Sequence, residues 1–274
     1  MRVVHPTDDA MPYLHDLRLH LFELRLFTDV ALHENVTLET QLPVRVTSTS
    51  IVFKQFDGTV FTPAEGNIHH RTETLLGFGD AWLMANGHVT AGGFRLTARL
   101  GVTLPIGTIE ANPFALGDEG KPHQHIQFGT GTFNPLTGLE VSRAFGPVTV
   151  LANGQAVWMA YQNRNGYRGG HRITGTLRAD LQLGPVRPLL GFDVLHEQPE
   201  TWNGVVQQDG NLGRTDLLIS AGVTWNVNAL TSVTLLARIP FFHHFINGSE
   251  HEQLTYPVVL TLMISEALLP PAHH

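Results

Sequence analysis

From Phe94 to Leu104 the chain reads FRLTARLGVTL, and every second residue is apolar. Phe94, Leu96, Ala98, Leu100, Val102 and Leu104 share one parity; Arg95, Thr97, Arg99, Gly101 and Thr103 share the other. A period of two marks a β-strand, whose side chains alternate between the two faces. The pattern recurs in RITGTLRADL, where Ile173, Leu177, Ala179 and Leu181 oppose Arg172, Thr174, Thr176, Arg178 and Asp180. In TDLLISAGVTWN, Leu217, Ile219, Ala221, Val223 and Trp225 oppose Asp216, Ser220 and Thr224. The apolar face can be the core of a soluble sheet, or it can face lipid while the charged face lines a lumen.

Connection lengths separate these settings. Helical periodicity is nearly absent, and strands are expected at about 14–27, 35–53, 75–85, 91–104, 126–143, 148–161, 171–183, 186–196, 215–226, 231–239 and 255–265. Tight joins at 85–90, 144–147, 183–186 and 226–229 alternate with long ones at 54–74, 105–125, 162–170, 197–214 and 240–254. A meander with short turns at one end and long loops at the other is the pattern of an outer-membrane barrel, whereas a sandwich need not segregate them. The charged face points the same way. Arg95, Arg99, Arg172, Arg178, Asp180 and Asp193 would each cost several kcal/mol unpaired in a dry core, but a polar lumen hydrates or pairs them.

The expectation is therefore an all-β protein, a transmembrane up-and-down antiparallel barrel of about 12 strands, with residues 1–274 as one domain. Eleven strands are found, and the first would start on the outer side, where bacterial barrels have both ends periplasmic. One strand is thus expected to be missing at the N-terminus. It and an export signal would lie upstream of Met1 or have been removed; in the rival reading MRVV is that strand's remnant. The opening MRVVHPTDDAMPYLHD has no apolar central segment of a signal peptide, and no run of about 18 apolar residues forms a transmembrane helix.

Composition narrows the partners. The net charge is -7 with no basic stripe, which argues against nucleic acid. All cations but Lys54 and Lys121 are arginine, which suits charges held in planar hydrogen-bonded pairs. There is no cysteine, so disulfides and thiol chemistry are excluded.

Several segments resemble the bacterial outer-membrane family labelled "transporter" or "meta-pathway of phenol degradation". They are ALHENVTLETQLPV, LLGFGDAWL, ARLGVTLPIGT, QFGTGTFNPLTGLEVSRAFGP and NRNGYRGG, and the likeness runs from about Leu14 to Ser265. It implies a bacterial outer-membrane barrel that passes small, often hydrophobic or aromatic compounds. The chain departs from many outer-membrane barrels in ending MISEALLPPAHH, without a terminal aromatic; Met1 is expected not to be the native start, and the final His273 and His274 to be the remnant of a tag.

Inward parity assigns Arg18, Glu23, Arg25, Glu39, Arg45, Asp80, Arg95, Arg99, Glu140, Arg172, Arg178, Asp180, Arg187, Asp193, Asp216 and Arg238 to the lumen. They form either a selectivity constriction or salt-bridge ladders that fill a narrow barrel. Asp80 is expected to pair with a lumenal arginine. Phe241, Phe242 and Phe245, in PFFHHFING, are expected in an outer loop, folded over the lumen mouth as a greasy entry or plug or, in a scaffold barrel, under a partner or on lipid. Histidines cluster in the expected loops at His69, His70, His123, His125, His243, His244 and His251. Of these, His123, His125, His243 and His244 are weak metal candidates without a Glu or Cys partner at standard spacing, so no metal and no cofactor are expected.

The expected function is a passive channel or uptake porin for small, hydrophobic or aromatic molecules, with no catalysis, since no Ser-His pair sits near a strand rim. Its expected partners are outer-membrane lipid and small hydrophobic solutes. The alternative is a scaffold barrel whose lumen is closed by salt bridges and which joins other envelope proteins in a larger complex.

Overall fold

A computed structural model describes residues 1–6, 13–62, 71–208, 210–248 and 253–267. Its strands are β1 (Arg2–Pro6), β2 (Leu14–His33), β3 (Val36–Lys54), β4 (Val60–Phe61), β5 (Glu73–Phe78), β6 (Ala81–Ala91) and β7 (Phe94–Leu104). A short helix, α1 (Pro113–Asp118), precedes β8 (Pro135–Phe145), β9 (Val148–Val157), β10 (Tyr167–Arg168), β11 (Arg172–Leu181) and β12 (Val186–Glu197). Then come β13 (Thr201–Trp202), β14 (Arg214–Asn226), β15 (Thr231–Phe245), β16 (Gln253–Thr255) and β17 (Val259–Glu266).

The wall is an antiparallel meander in the order β16-β1-β2-β3-β6-β7-β8-β9-β11-β12-β14-β15-β17, with β4 and β5 also pairing with β3. The two ends of that order are neighbours in the chain. β16 pairs with β1, Val3 opposite Leu254, while β17 pairs with β15, Leu235 opposite Leu262. Only residues 256–258 separate β16 from β17, so one segment meets both edges and the thirteen strands on the path make a ring of twelve. The two edges are joined only through β16, β1 and the stretch of β2 from Leu14 to Arg18; the far edge of β17 meets no strand among the described residues. The twelfth strand is β1: the segment MRVV, read from sequence as at most a remnant, pairs with β2 from Arg2 opposite Arg18 to Pro6 opposite Leu14. Beyond the two bonds between Leu19 and Met1, N–H to carbonyl in each direction, that edge of β2 meets no strand among the described residues.

The apolar face points out. Leu100 is 66%, Leu177 53% and Leu262 66% exposed, while Thr97, Thr103, Asp180, Asp193, Ser220 and Thr224 on the opposite parity are buried. The greasy face of FRLTARLGVTL is therefore the outer face of the barrel, as in a membrane barrel.

The short turns fall at one end, between β2 and β3, β6 and β7, β8 and β9, β11 and β12, and β14 and β15. One differs from expectation. The Asn-Gly pair at 86–87 does not turn; β6 runs on, with Asn86 opposite Arg99, and the chain reverses at Gly92 and Gly93. Both glycines have positive φ, +58° and +78°, the pairing that a tight turn between right-twisted strands needs. Two other expectations change. Residues 126–134 belong to the β7–β8 connection, and β15 continues through Phe245, so 240–245 is wall and not loop.

Candidate functional site: the lumen and its inward-folded loop

β2 pairs with β3 without a break from Leu14–Lys54 to Ala31–Thr37, so odd-numbered residues of both strands share the lumen face. Glu23 there bridges Arg25 at 2.6 Å and Arg45 at 2.7 Å. Arg18 has the other parity and faces outward, opposite to what was expected of it as a lumen cation.

The other candidate charges meet mostly their neighbours on the wall. Arg99 reaches Glu140 at 2.9 Å and Arg178 reaches Asp180 at 3.0 Å. Arg172 pairs with Glu197 at 2.8 Å, and Arg238 approaches Asp193 at 3.3 Å. Asp193 also accepts the Thr176 hydroxyl at 2.6 Å. Arg95 is exposed near the turn end of β7. Most of these pairs link adjacent strands or residues two apart on one strand, and Arg238 reaches Asp193 across the intervening β14, so they run along the wall.

The bore is crossed by the connection from β7 to β8. Asp80, at the break between β5 and β6, does not pair with an arginine. Its Oδ1 accepts Gly107 N at 3.1 Å, and its Oδ2 accepts Thr130 N at 2.7 Å and the Thr130 hydroxyl at 2.5 Å. A carboxylate that accepts backbone N–H groups can anchor a loop without an opposite charge. Arg45 donates to Phe128 O at 2.9 Å, Asn163 to Thr130 O at 3.0 Å, and Gln124 to Glu73. Asn134, fully buried, ties the end of the connection to Thr103 and Thr130.

Beneath this loop parity alone misses an apolar layer. Met84, Leu136, Val157 and Met159 are buried inside the barrel, with Trp82 packed against them. Loop and wall line a partly open cavity of about 40 Å³ whose lining includes Arg45, Asp80, Trp82, Phe128, Met159 and Arg172. That is room for roughly three waters.

At the long-loop end sits a second group that sequence reasoning missed. Trp202 is buried, donates to Glu200 at 3.2 Å, and packs on Tyr167 and Phe114 with centroids 4.9 and 6.2 Å away. Burial pushes the Glu200 carboxyl up to about 7. The available signal was the TWNG stretch, a turn at Asn203 and Gly204 with φ of +51° and +84° that folds Trp202 back.

The phenylalanines lie in the wall and not in a loop over the lumen mouth. Leu217 pairs with Phe242 and Leu218 with Pro240, so Phe241 is the extra residue of a β-bulge. The bulge turns Phe241 and Phe242 both outward, 55% and 47% exposed, and sends His243 inward to Asp216 at 2.7 Å. Phe245 is half-buried. His123 and His125 stack at 5.2 Å in the inward-folded loop, and His244 is exposed on β15. Among the described residues no three His, Asp or Glu come together as a metal site. His69, His70, His251, His273 and His274 lie outside the described residues.

A solved structure, an outer-membrane channel from Pseudomonas putida F1, superposes with a TM-score of 0.58 at 15% identity, covering 97% of this chain and 92% of that one. The fold is that of an outer-membrane channel barrel. It fits an outer-membrane location, while at this identity the likeness carries the fold and not the narrower phenol-pathway family. No family model and no curated protein matches the chain.

Proposed function

We propose that the protein is a passive outer-membrane channel for small solutes with an apolar, often aromatic, body, and that the 105–134 connection sets its bore. The observation that carries this is the folded-in loop itself. It is fastened at Asp80 and overlies a lining that combines the Arg45 and Arg172 guanidinium groups with Trp82 and Met159. A lining of apolar surface with a few placed polar groups suits amphipathic molecules better than sugars or free ions. No catalytic step and no cofactor belong to this reading; lipid and the solute are the partners.

The second reading, a scaffold barrel with a closed lumen in an envelope complex, is favoured by the size of the cavity, about 40 Å³, which is smaller than an aromatic ring needs. Reconstitution in planar bilayers separates the two. Discrete conductance steps, with swelling of proteoliposomes faster in a neutral aromatic solute than in a sugar of similar mass, support the channel. No steps and no swelling support the scaffold.

A further inference from the structure

The lipid-facing side of β2 is apolar from Phe22 through Leu24, Leu26 and Val30 to Leu32, all exposed. Eleven residues at about 3.4 Å each, tilted by about 45°, cover about 25 Å, the height of a barrel's apolar band. Directly above, toward the long-loop end, the same face carries His20, Arg18 and Asp16. Arg2 of β1 stands directly opposite Arg18, and Ser50 of β3 flanks Arg18 on its other side. Thr255 of β16 flanks Arg2. The Asp16 carboxylate is already engaged by Arg2 at 2.7 Å and by Lys54 at 2.5 Å. Arg18 makes no hydrogen bond or ion pair among the described residues and is exposed.

Arg2 and Lys54 thus share one anion, and Arg18 is left over, on a surface that looks into the outer leaflet at headgroup depth. Two arginines directly opposite each other on one face repel, and the arrangement is stable when an external anion lies between them. Guanidinium pairs match the oxygens of a phosphate, and the flanking hydroxyls add donors.

We propose that Arg2, Arg18 and Ser50, with Thr255, form a binding site for the phosphate of an outer-leaflet glycolipid, whose acyl chains run down the apolar band of β2. The site rests on the channel reading only for its orientation in the membrane. It gives the barrel a fixed lipid on its β1–β2 face, separate from the lumen.

The test uses the full chain in phosphatidylcholine vesicles with diphosphoryl lipid A, or with the same lipid dephosphorylated, and counts retained glycolipid by native mass spectrometry. The wild type is expected to retain the diphosphoryl form and not the dephosphorylated one. Arg18→Gln, which breaks no contact of the fold, is expected to lower retention about tenfold, as for the loss of one charge-assisted contact. Arg143→Gln serves as control: it alters a cation at the opposite rim that stacks on Phe94 and Phe145. Equal retention by Arg18→Gln and wild type, or equal retention of both lipid forms, overturns the site. A wild type that inserts and conducts but retains no glycolipid sinks this inference alone; one that never inserts sinks the channel reading.

Discussion

Thr130 donates both its backbone N–H and its hydroxyl to Asp80, at 2.7 and 2.5 Å, across fifty residues of sequence. Together with the bond from Gly107 these two hold the connection against the wall at Asp80. Each charge-assisted hydrogen bond contributes about 1.5–3 kcal/mol, so Asp80→Ala removes enough to let residues 105–134 leave the lumen. If the barrel conducts, single-channel conductance of Asp80→Ala should rise several-fold with the wall intact by circular dichroism. Unchanged conductance would show that the loop does not set the bore.

A second substitution reaches the same contact from the backbone side. Gly107 and Gly129 approach so closely that a Cβ on either would lie 2.6 Å from the other's Cα and 2.8 Å from Asp80 Oδ1. Gly129→Ala should therefore push the loop off the wall at a cost of about 1–3 kcal/mol. In the same bilayer measurement it should mimic Asp80→Ala, and the double variant should add little. Additive effects would mean that the two residues act on different obstructions.

The barrel was legible because its signal repeats: a period of two and alternating connection lengths appear in nearly every strand, so slips such as Asn86–Gly87 for Gly92–Gly93 left the topology intact. The bore was not. Asp80 has no local mark that distinguishes an arginine partner from the amides of Gly107 and Thr130, and those partners lie 27 and 50 residues away. The inner apolar layer of Met84, Leu136, Val157 and Met159 hid in the polar parity of strands whose other inward residues are charged or hydroxylic. The Phe241 bulge was invisible for a related reason. One inserted residue reverses the parity downstream, and nothing in PFFHHF says where it sits.

Orientation is tested by two neighbours on β11. Leu177 faces out, whereas Thr176 faces in and donates to Asp193. Leu177→Arg should destabilise the barrel by about 2–4 kcal/mol at mid-membrane, and Thr176→Arg should cost less, because its guanidinium enters a polar lumen beside an acid. Urea unfolding from vesicles measures both; equal losses would contradict the lipid-facing parity.

The last prediction concerns Glu200 in the connection between β12 and β14. Burial raises its carboxyl to about 7, against the lowering influence of bonds from Asn211 and Trp202. The unfolded chain titrates near 4.3. Below that pH both states hold the proton and burial adds no electrostatic penalty. Between about 4.3 and 7 the unfolded state gives its proton up while the folded one keeps it. The mouth therefore loses stability as pH rises through this window, by about 3 kcal/mol in all, and the loss levels off above 7. Glu197, which faces the same pocket, is held by Arg172 and does not share this titration. Glu200→Gln keeps an oxygen for the Trp202 Nε1 bond and removes the ionisation. Hydrogen exchange across 198–213, corrected for intrinsic rates, should show protection in the wild type falling from pH 5 to pH 8, and should show no such fall in Glu200→Gln. A matching fall in both would assign the pH response to another group and leave Glu200 as packing alone.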